Sequence, residues 1–292
     1  MTTTLWFHEN QGVVARKPDL GCKKTKAWLK ENQGLVKIEQ RENIRLCDNK
    51  TRTMNLEEKI KQRFTDAWTR YGLLEDGDKI LVGLSGGKDS LCLLELLAAQ
   101  ARIFKPRISV EALHVRMENV EYESDTRWLE EFCKDKGVGL HVRTTRFEET
   151  REDQQKKPAC FLCSWMRRKV LFDVAQELGC NKIALGHHQD DILHTMLMNL
   201  TTQGRFSTMP AMLRMKKMPL TIIRPLCLEQ ERDIMELAEK HGYEKQLKKC
   251  PHEQETIRGS MRLMFEDMER RNPEVRYSMW KALERENKLV EL

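Results

Sequence analysis

Residues 85–90 form a glycine-rich turn of the kind that binds phosphate. The segment reads Ser85-Gly-Gly-Lys-Asp-Ser90 and directly follows the apolar run 79–84, where a strand would pass into a helix. Two glycines let the backbone turn tightly and present N–H groups, and the start of a helix adds partial positive charge. Lys88 adds a full charge. The spacing fits neither the Walker loop nor the dinucleotide fingerprint, so it indicates another type of anion site.

A second polar segment, residues 186–191, follows another apolar run and reads Gly186-His-His-Gln-Asp-Asp191. Taken alone it has a structural explanation, because Asp190 or Asp191 can cap a helix and His187 can be a hydrogen-bonded core histidine. Beside a phosphate loop, carboxylates also suit magnesium, since hard cations prefer oxygen ligands. Asp89 and Asp191 are therefore our candidate magnesium ligands.

Cys160 and Cys163 form a Cys-x-x-Cys pair just before a predicted helix, among basic residues. Helix-start dipoles and nearby cations favour the thiolate, which attacks and ligates metals. Far downstream Cys250 precedes a proline, as in some ferredoxin-type cluster runs. Three interpretations stay open from the residues alone: a zinc site completed by His252, a redox dithiol, and an iron–sulfur cluster on three cysteines with one iron open.

The elements that must position these residues alternate between strand and helix. Apolar runs predict strands at 79–84, 110–115, 138–142, 182–186 and 221–224. Helical spacing predicts helices over 56–71, 91–101, 126–136 and about 164–178, with another from Glu229. This alternation predicts an α/β fold, a Rossmann-like parallel sheet with helices on both faces. Ligands of such sheets sit beyond the carboxyl ends of the strands, where both polar segments fall.

The composition describes a globular chain of 292 residues, 40% hydrophobic and 33% charged. No apolar stretch approaches the roughly 20 residues that cross a bilayer, and the first residues lack the features of a secretory signal. We therefore expect a cytoplasmic protein without a membrane partner. In that compartment thiols stay reduced, so nine cysteines indicate metal or redox chemistry more than structural disulfides.

The net charge of +6 is concentrated at the start of the chain. Residues 1–53 hold 11 Lys/Arg against 6 Asp/Glu, a net of +5, which leaves +1 for residues 54–292. An RNA-binding groove on the main domain would have to be local, and a solvated face is the ordinary alternative. Our candidate RNA phosphate contacts are Arg167, Arg168, Arg205, Arg214, Lys216 and Lys217.

Residues 54–292 resemble the tRNA 2-thiocytidine synthetase (TtcA-like) family, iron–sulfur tRNA sulfurtransferases of the PP-loop ATP pyrophosphatase superfamily. The resemblance runs through 85–90, 160–168, 186–191, 205–210, 223–226 and 250–251. It implies the adenine nucleotide alpha-hydrolase fold, with ATP held by Ser85, Gly86, Gly87, Lys88, Asp89, Ser90 and Gly186. It also implies that Cys160, Cys163 and Cys250 bind a [4Fe–4S] cluster.

The resemblance implies an ATP-dependent enzyme that adenylates the C2 carbonyl of cytidine, at position 32 of tRNA, and inserts sulfur there. Lys88, Asp89, Asp191, Cys160 and Cys163 would carry this chemistry. A sulfur donor such as a cysteine desulfurase would supply it, and the family also suggests a homodimer. Two alternatives remain. One is another PP-loop enzyme that modifies tRNA, including a lysidine-type ligase, and the other is a non-catalytic RNA-binding module stabilised by a structural zinc ion.

The predicted organisation has three parts. Residues 1–53 are a basic extension outside the family pattern, and Met54 is an alternative start. Residues 54–245 are the PP-loop catalytic domain. Residues 246–292 are a helical C-terminal segment that carries the third cluster cysteine.

Overall fold

A computed structural model describes residues 54–118, 120–122, 126–147, 159–244, 248–249 and 257–292. The predicted extension 1–53 and Cys250 lie outside these residues. The strands are β1 (Lys79–Gly83), β2 (Ser109–Met117), β3 (Glu121–Tyr122), β4 (Gly139–Thr145), β5 (Lys182–Ala184), β6 (Met212–Arg214), β7 (Thr221–Ile223), β8 (Lys248–Lys249) and β9 (Val290–Glu291). The helices are α1 (Leu56–Tyr71), α2 (Lys88–Ala101), α3 (Arg127–Lys136), α4 (Ala159–Glu177), α5 (Gln189–Gln203), α6 (Glu231–Lys240), α7 (Ile257–Arg271) and α8 (Val275–Arg285).

Seven strands form the main sheet in the order β4-β2-β1-β5-β7-β6-β9. The first five of that order pair in parallel, whereas β6 is antiparallel to β7 and parallel to β9. From β1 the chain moves outward to β2 and β4 and then returns to β5 on the other side. The topological switch point, where such sheets bind ligands, therefore lies between the carboxyl ends of β1 and β5. We call this side of the sheet the carboxyl edge, and the opposite side the amino edge.

Both faces of the sheet are covered because the central strands are apolar on both sides. Ile80 and Val82 belong to one core cluster with residues of α1 and α2, whereas Leu81 belongs to a second cluster with Leu171 of α4. All three of these strand residues are fully buried. Continuous apolar runs are the pattern expected of parallel strands buried on both faces.

The predicted α/β fold with a parallel sheet is confirmed, and the five predicted strands are the five parallel ones. The short strands β3, β6, β8 and β9 were not predicted. The last predicted helix begins two residues later than expected, at Glu231. In the described part of the chain, no helix is long and apolar enough to span a bilayer.

The C-terminal helices share the core of the sheet. Residues 55–292 form one compact unit, and Phe265 of α7, Trp280 of α8 and Leu289 belong to the same buried cluster as Ile80. Trp280 Nε1 donates to the Tyr71 hydroxyl oxygen (3.1 Å), which ties α8 to α1. The boundary near residue 245 stays a prediction.

Substitution of Leu283 by alanine tests this shared core. Leu283 on α8 is fully buried, whereas Leu263 on α7 is 68% exposed. We expect Leu283→Ala to lower the free energy of unfolding by about 2–5 kcal/mol, the cost of a core leucine truncation. Leu263→Ala should change it by less than about 0.5 kcal/mol. Urea unfolding of both variants measures the difference, and equal values would show that α8 lies outside the cooperative core.

Candidate active site

The two polar segments meet at the switch point because residue 186 is a glycine. A Cβ atom on Gly186 would lie 2.9 Å from the backbone carbon and oxygen of Asp89 and 3.0 Å from the Ser90 nitrogen. Real Cβ atoms do not approach backbone that closely. The loop after β5 therefore packs directly on the backbone of the loop after β1, as the prediction of one common edge required.

The loop 85–90 is held in shape by its own serines. Ser90 Oγ donates to the Gly87 carbonyl oxygen (2.9 Å) and accepts from the Ser85 N–H (3.2 Å). Ser85 Oγ accepts from the Gly87 N–H (3.3 Å). Gly86 has a φ of +79°, in the region that favours glycine. Gly87 is the N-cap of α2 and has no side chain to cap the first-turn N–H groups, so they are oriented toward an incoming anion.

Lys88 lies between two carboxylates. Its Nζ is 3.2 Å from Asp89 Oδ2 and 3.0 Å from Oε1 of Glu231, the first residue of α6. Burial opposes the charged form of Lys88, but the two carboxylates raise its pKa above the ordinary value. Arg262 of α7 reaches the other oxygen of Glu231 (3.5 Å). The phosphate loop is thus linked through Glu231 to a C-terminal helix.

Asp89 has an incompletely satisfied carboxylate. Its Oδ1 is buried and lies 3.2 Å from Lys88 Nζ, an ion pair without the geometry of a hydrogen bond. Burial raises the pKa of Asp89, and the charges of Lys88 and His188 only partly offset this. A carboxylate beside a phosphate loop has the chemistry of a ligand for a hard cation.

The first turn of α5 carries the other acidic candidates. Asp191 Oδ2 accepts the N–H of His188 (3.2 Å). The buried His188 ring lies 3.5 Å from both Asp190 and Asp191 and 3.8 Å from Asp89. Burial opposes protonation of His188, but these carboxylates together raise its pKa. The imidazole thus links both loops.

Asp190 forms a structural ion pair with Arg276. Arg276 of α8 donates to its Oδ1 (2.7 Å), and the Glu231 N–H donates to its Oδ2 (2.8 Å). Burial raises the pKa of Asp190, but its bonds to His188 and Arg276 outweigh burial and hold the pKa well below the usual range. Arg276 also donates to Gln189 (3.2 Å) and Glu269 (2.7 Å). Asp190 therefore anchors α5 to α6 and α8, and Asp191 is the carboxylate directed to the His188 backbone.

Cys160 and Cys163 lie within the first two turns of α4, at the carboxyl edge, and not before the helix as predicted, because the helix begins at Ala159. Helix α4 runs antiparallel to the strands, since its Leu171 reaches the end of β1 near Gly83, and the carbonyl oxygen of Leu178, directly after the helix, accepts from Lys79 at the start of β1 (2.8 Å). Cys160 is exposed and Cys163 is half-buried beside Met117, the last residue of β2. Residues three apart share one face of a helix, so both thiols lie on the phosphate-loop side of the sheet.

The six predicted RNA contacts are not brought together. Arg167 and Arg168 share α4 with the cysteines, and Arg168 is exposed. Arg205 is exposed beyond the end of α5. Arg214, Lys216 and Lys217 are exposed at the end of β6 and in the turn to β7; because β6 runs opposite to the parallel strands, they lie at the amino edge. Only the first pair shares an element with the cysteines.

Sequence reasoning missed three positioning residues. Glu231 and Arg276 gave no local signal, because each acts on a loop far away in the sequence. Arg224 follows β7 at the carboxyl edge and is buried, and its Nε donates to His187 Nδ1 (3.1 Å). An arginine directly after the apolar run of a predicted parallel strand was a signal available in the sequence.

Comparison with known proteins agrees with this arrangement. Residues 52–264 match the PP-loop domain. The tRNA-cytidine(32) 2-sulfurtransferase 1 of Francisella tularensis subsp. novicida (strain U112) is 37% identical over 238 residues, 78% of this chain and 86% of that protein. The chain belongs to the tRNA-cytidine(32) 2-sulfurtransferase family of PP-loop proteins. The tRNA-cytidine(32) 2-sulfurtransferase of Delftia acidovorans is 33% identical over 74% of this chain and 65% of its own length.

A solved structure has the same fold. The U34-tRNA thiolase NcsA from Methanococcus maripaludis, determined with its [4Fe-4S] cluster, superposes with a TM-score of 0.62 and 24% identity over 79% of each chain. At that identity the likeness concerns the fold. The predicted family membership and PP-loop fold are confirmed.

Replacement of Gly186 tests the contact between the two loops. We expect Gly186→Ala to lower the free energy of unfolding by about 1–3 kcal/mol, because the methyl group must push backbone aside, and to weaken binding of a nucleoside triphosphate. Gly259→Ala is the matched control, since a Cβ at Gly259 meets no atom within 4 Å. Urea unfolding and calorimetric nucleotide binding measure both effects. Equal behaviour of the two variants would contradict the close packing.

A buried carboxylate next to the site makes stability pH-dependent. The side chain of Glu229 is fully buried, and its carbonyl oxygen accepts the N–H of Gln189 (2.8 Å). Burial raises its pKa from 4.5 to about 8, although Arg63 lies 3.6 Å away and opposes this. The folded protein therefore keeps a proton that the unfolded chain has released. Stability should fall as pH rises from about 4.5 to about 8.

The variant Glu229→Gln removes this titration. We expect the urea midpoint of the wild type to fall between pH 5 and pH 8 by more than that of Glu229→Gln, because glutamine stays neutral throughout. Glu284→Gln is the control, since interactions with Lys281 and Tyr71 overcome burial and lower the Glu284 pKa. Parallel pH profiles for the wild type and Glu229→Gln would contradict a protonated Glu229.

Proposed function

We propose that this chain is an ATP-dependent tRNA thiolase that puts sulfur on C2 of a cytidine, at position 32 of tRNA. The observation that carries the proposal is the sharing of one sheet edge by the phosphate loop and the first two turns of α4. An activating site and two thiols on one side of the sheet suit a reaction that first activates a base and then delivers sulfur. The two relatives from Francisella tularensis and Delftia acidovorans are named for the same base, cytidine 32 of tRNA.

ATP is the substrate that the phosphate loop fits. Its phosphates would lie on Ser85–Ser90, with the first-turn N–H groups of α2 and Lys88 as donors. The triphosphate would replace Glu231 as the partner of Lys88. Magnesium would be held by Asp89 and Asp191, and the approach of both carboxylates to the same nitrogen of His188 (3.8 and 3.5 Å) supports this. The metal would offset phosphate charge and orient the α-phosphate.

The first step in this proposal is adenylation of the base. The C2 carbonyl oxygen attacks the α-phosphorus, the bond to the β-phosphate breaks, and pyrophosphate leaves. Lys88 and the loop N–H groups stabilise the charge on pyrophosphate, a contribution of preorganised electrostatics. In the second step a sulfur nucleophile adds at C2, and the C2–O bond breaks with AMP as the leaving group. The original oxygen departs on AMP.

Cys160 and Cys163 are the candidate cluster ligands, with Cys250 as the third. Exposure of Cys160 and the shared face of the two thiols support metal binding. The backbone of Lys249, next to Cys250, pairs with Glu121, four residues beyond the end of β2, and Cys163 packs beside that end. When bound, a [4Fe–4S] cluster on three cysteines would offer one open iron able to carry sulfur.

The remaining partners follow from the same proposal. A sulfur donor, such as a cysteine desulfurase, would reload the site after each turnover, and two chains would associate as a homodimer in the cytoplasm. Arg167 and Arg168 are the RNA contacts nearest the cysteines. Arg205, Arg214, Lys216 and Lys217 would contact other parts of the tRNA. A lysidine-type ligase would give no role to the exposed Cys160.

Replacement of Cys250 tests the cluster and the activity together. We expect the anaerobically purified wild type to be brown with about four iron atoms per chain and to restore 2-thiocytidine in tRNA from a deletion strain. Cys250→Ala should lose iron and thiolation together. Cys180→Ala, at a buried cysteine, is the control and should keep both. Nucleoside mass spectrometry and iron analysis are the measurements.

Two outcomes would contradict this proposal. A colourless protein loaded with zinc would exclude the cluster and favour a zinc-clipped RNA-binding module. Thiolation that survives in Cys250→Ala would show that this residue is not the third ligand. A deletion strain lacking a different modified nucleoside would reassign the substrate within the PP-loop enzymes.

A further inference from the structure

The outer face of α4 carries two exposed aromatic side chains one helical turn apart. Phe161 is 45% exposed and Trp165 is 48% exposed, and Trp165 is the most exposed of the four tryptophans in the described residues. Leu162, Leu171 and Val174 already fill the buried face of the helix. Large aromatic side chains left exposed cost solubility without serving the core, so they indicate a surface that is covered by a ligand.

Positive charge accompanies these rings. Arg168 and Lys169 are exposed and stand three and four residues after Trp165, which places them on the same face of the helix. The sequence has no acidic residue between 159 and 172. We call Phe161, Trp165, Arg168 and Lys169 the aromatic–basic face of α4. Its net positive charge is complementary to a polyanion.

The aromatic–basic face lies at the same end of α4 as the cysteines. Cys160 and Cys163 share the first two turns of α4 with Phe161 and Trp165. The buried His114 donates through its Nδ1–H to the carbonyl oxygen of Leu84 (2.7 Å), the residue before the phosphate loop. Burial and, to a smaller degree, the charge of Arg167 lower the pKa of that histidine. Helix α4 therefore passes close to the base of the phosphate loop.

We propose that the aromatic–basic face of α4 binds unpaired nucleotides of the RNA, with a base stacked on Trp165 and backbone phosphates on Arg168 and Lys169. Aromatic rings interleaved with cations are how proteins hold single-stranded nucleic acid, because every base has a stacking face. Unpaired loop bases can be splayed out in this way, whereas paired bases cannot. This inference rests on the proposed function, since it states how the target loop is held at the end of α4 that carries the cysteines.

Binding of a synthetic anticodon stem-loop to Trp165→Ala tests the inference. We expect the stem-loop to bind about 5- to 150-fold more weakly, the loss that one stacked base gives, with binding of a fully paired duplex unchanged. Trp165→Phe should recover most of the affinity. Arg168→Ala should weaken both RNAs and reduce the salt dependence of binding. Quenching of tryptophan fluorescence in the wild type by the stem-loop is a second readout.

The matched control is Phe104→Ala, which removes an aromatic side chain that is 75% exposed in the connection between α2 and β2. It should bind both RNAs as the wild type does. Iron content and ATP binding should be unchanged in Trp165→Ala, which shows that the variant is folded. Unchanged stem-loop affinity in Trp165→Ala would overturn the inference.

A change of oligomeric state would also overturn it. If Trp165→Ala converts a dimer into a monomer in sedimentation, the face is a contact between copies of this chain. Failure of the proposed function is distinguishable, because the wild type would then bind the stem-loop through Trp165 while forming no thiolated nucleoside.

Discussion

The approach of Gly186 to the backbone of Asp89 is the constraint on which the site depends. With 2.9 Å between a Cβ at residue 186 and the Asp89 backbone, the two loops touch without room for a side chain. This contact sets the distance from the phosphate loop to His188 and Asp191. It also explains why β1 and β5 must be neighbours in the sheet, because only adjacent parallel strands end in adjacent loops.

The two C-terminal helices α7 and α8 supply arginines that pair with carboxylates of this site. Arg276 of α8 pairs with Asp190, and Arg262 of α7 approaches Glu231, which in turn holds Lys88. Removal of one partner from such a partly buried pair leaves an uncompensated charge, which is costly. The helices after β8 are therefore part of the machinery that orients the phosphate loop, in addition to sharing the hydrophobic core. Binding of a triphosphate at Lys88 would act on the same network.

The parallel strands and both polar loops could be predicted because each is encoded locally. Continuous apolar runs mark the strands, and glycine with charged residues marks each loop. Lys88–Glu231 and Asp190–Arg276 could not be predicted, since the partners are 143 and 86 residues apart and their contact depends on how α6 and α8 pack. The position of Arg214 could not be predicted either, since the antiparallel direction of β6 takes it to the amino edge; its contact with RNA stays a prediction.

The central claim is that the nucleotide and the cluster bind at the same edge of the sheet. Electron paramagnetic resonance of the reduced, iron-loaded protein with Mn²⁺ in place of Mg²⁺ and a non-hydrolysable ATP analogue tests this directly. The account predicts that the Mn²⁺ signal is broadened by the cluster, and that the broadening disappears in a Cys160→Ser, Cys163→Ser double variant. An unchanged Mn²⁺ signal in the fully loaded protein would place the two sites apart and contradict the account.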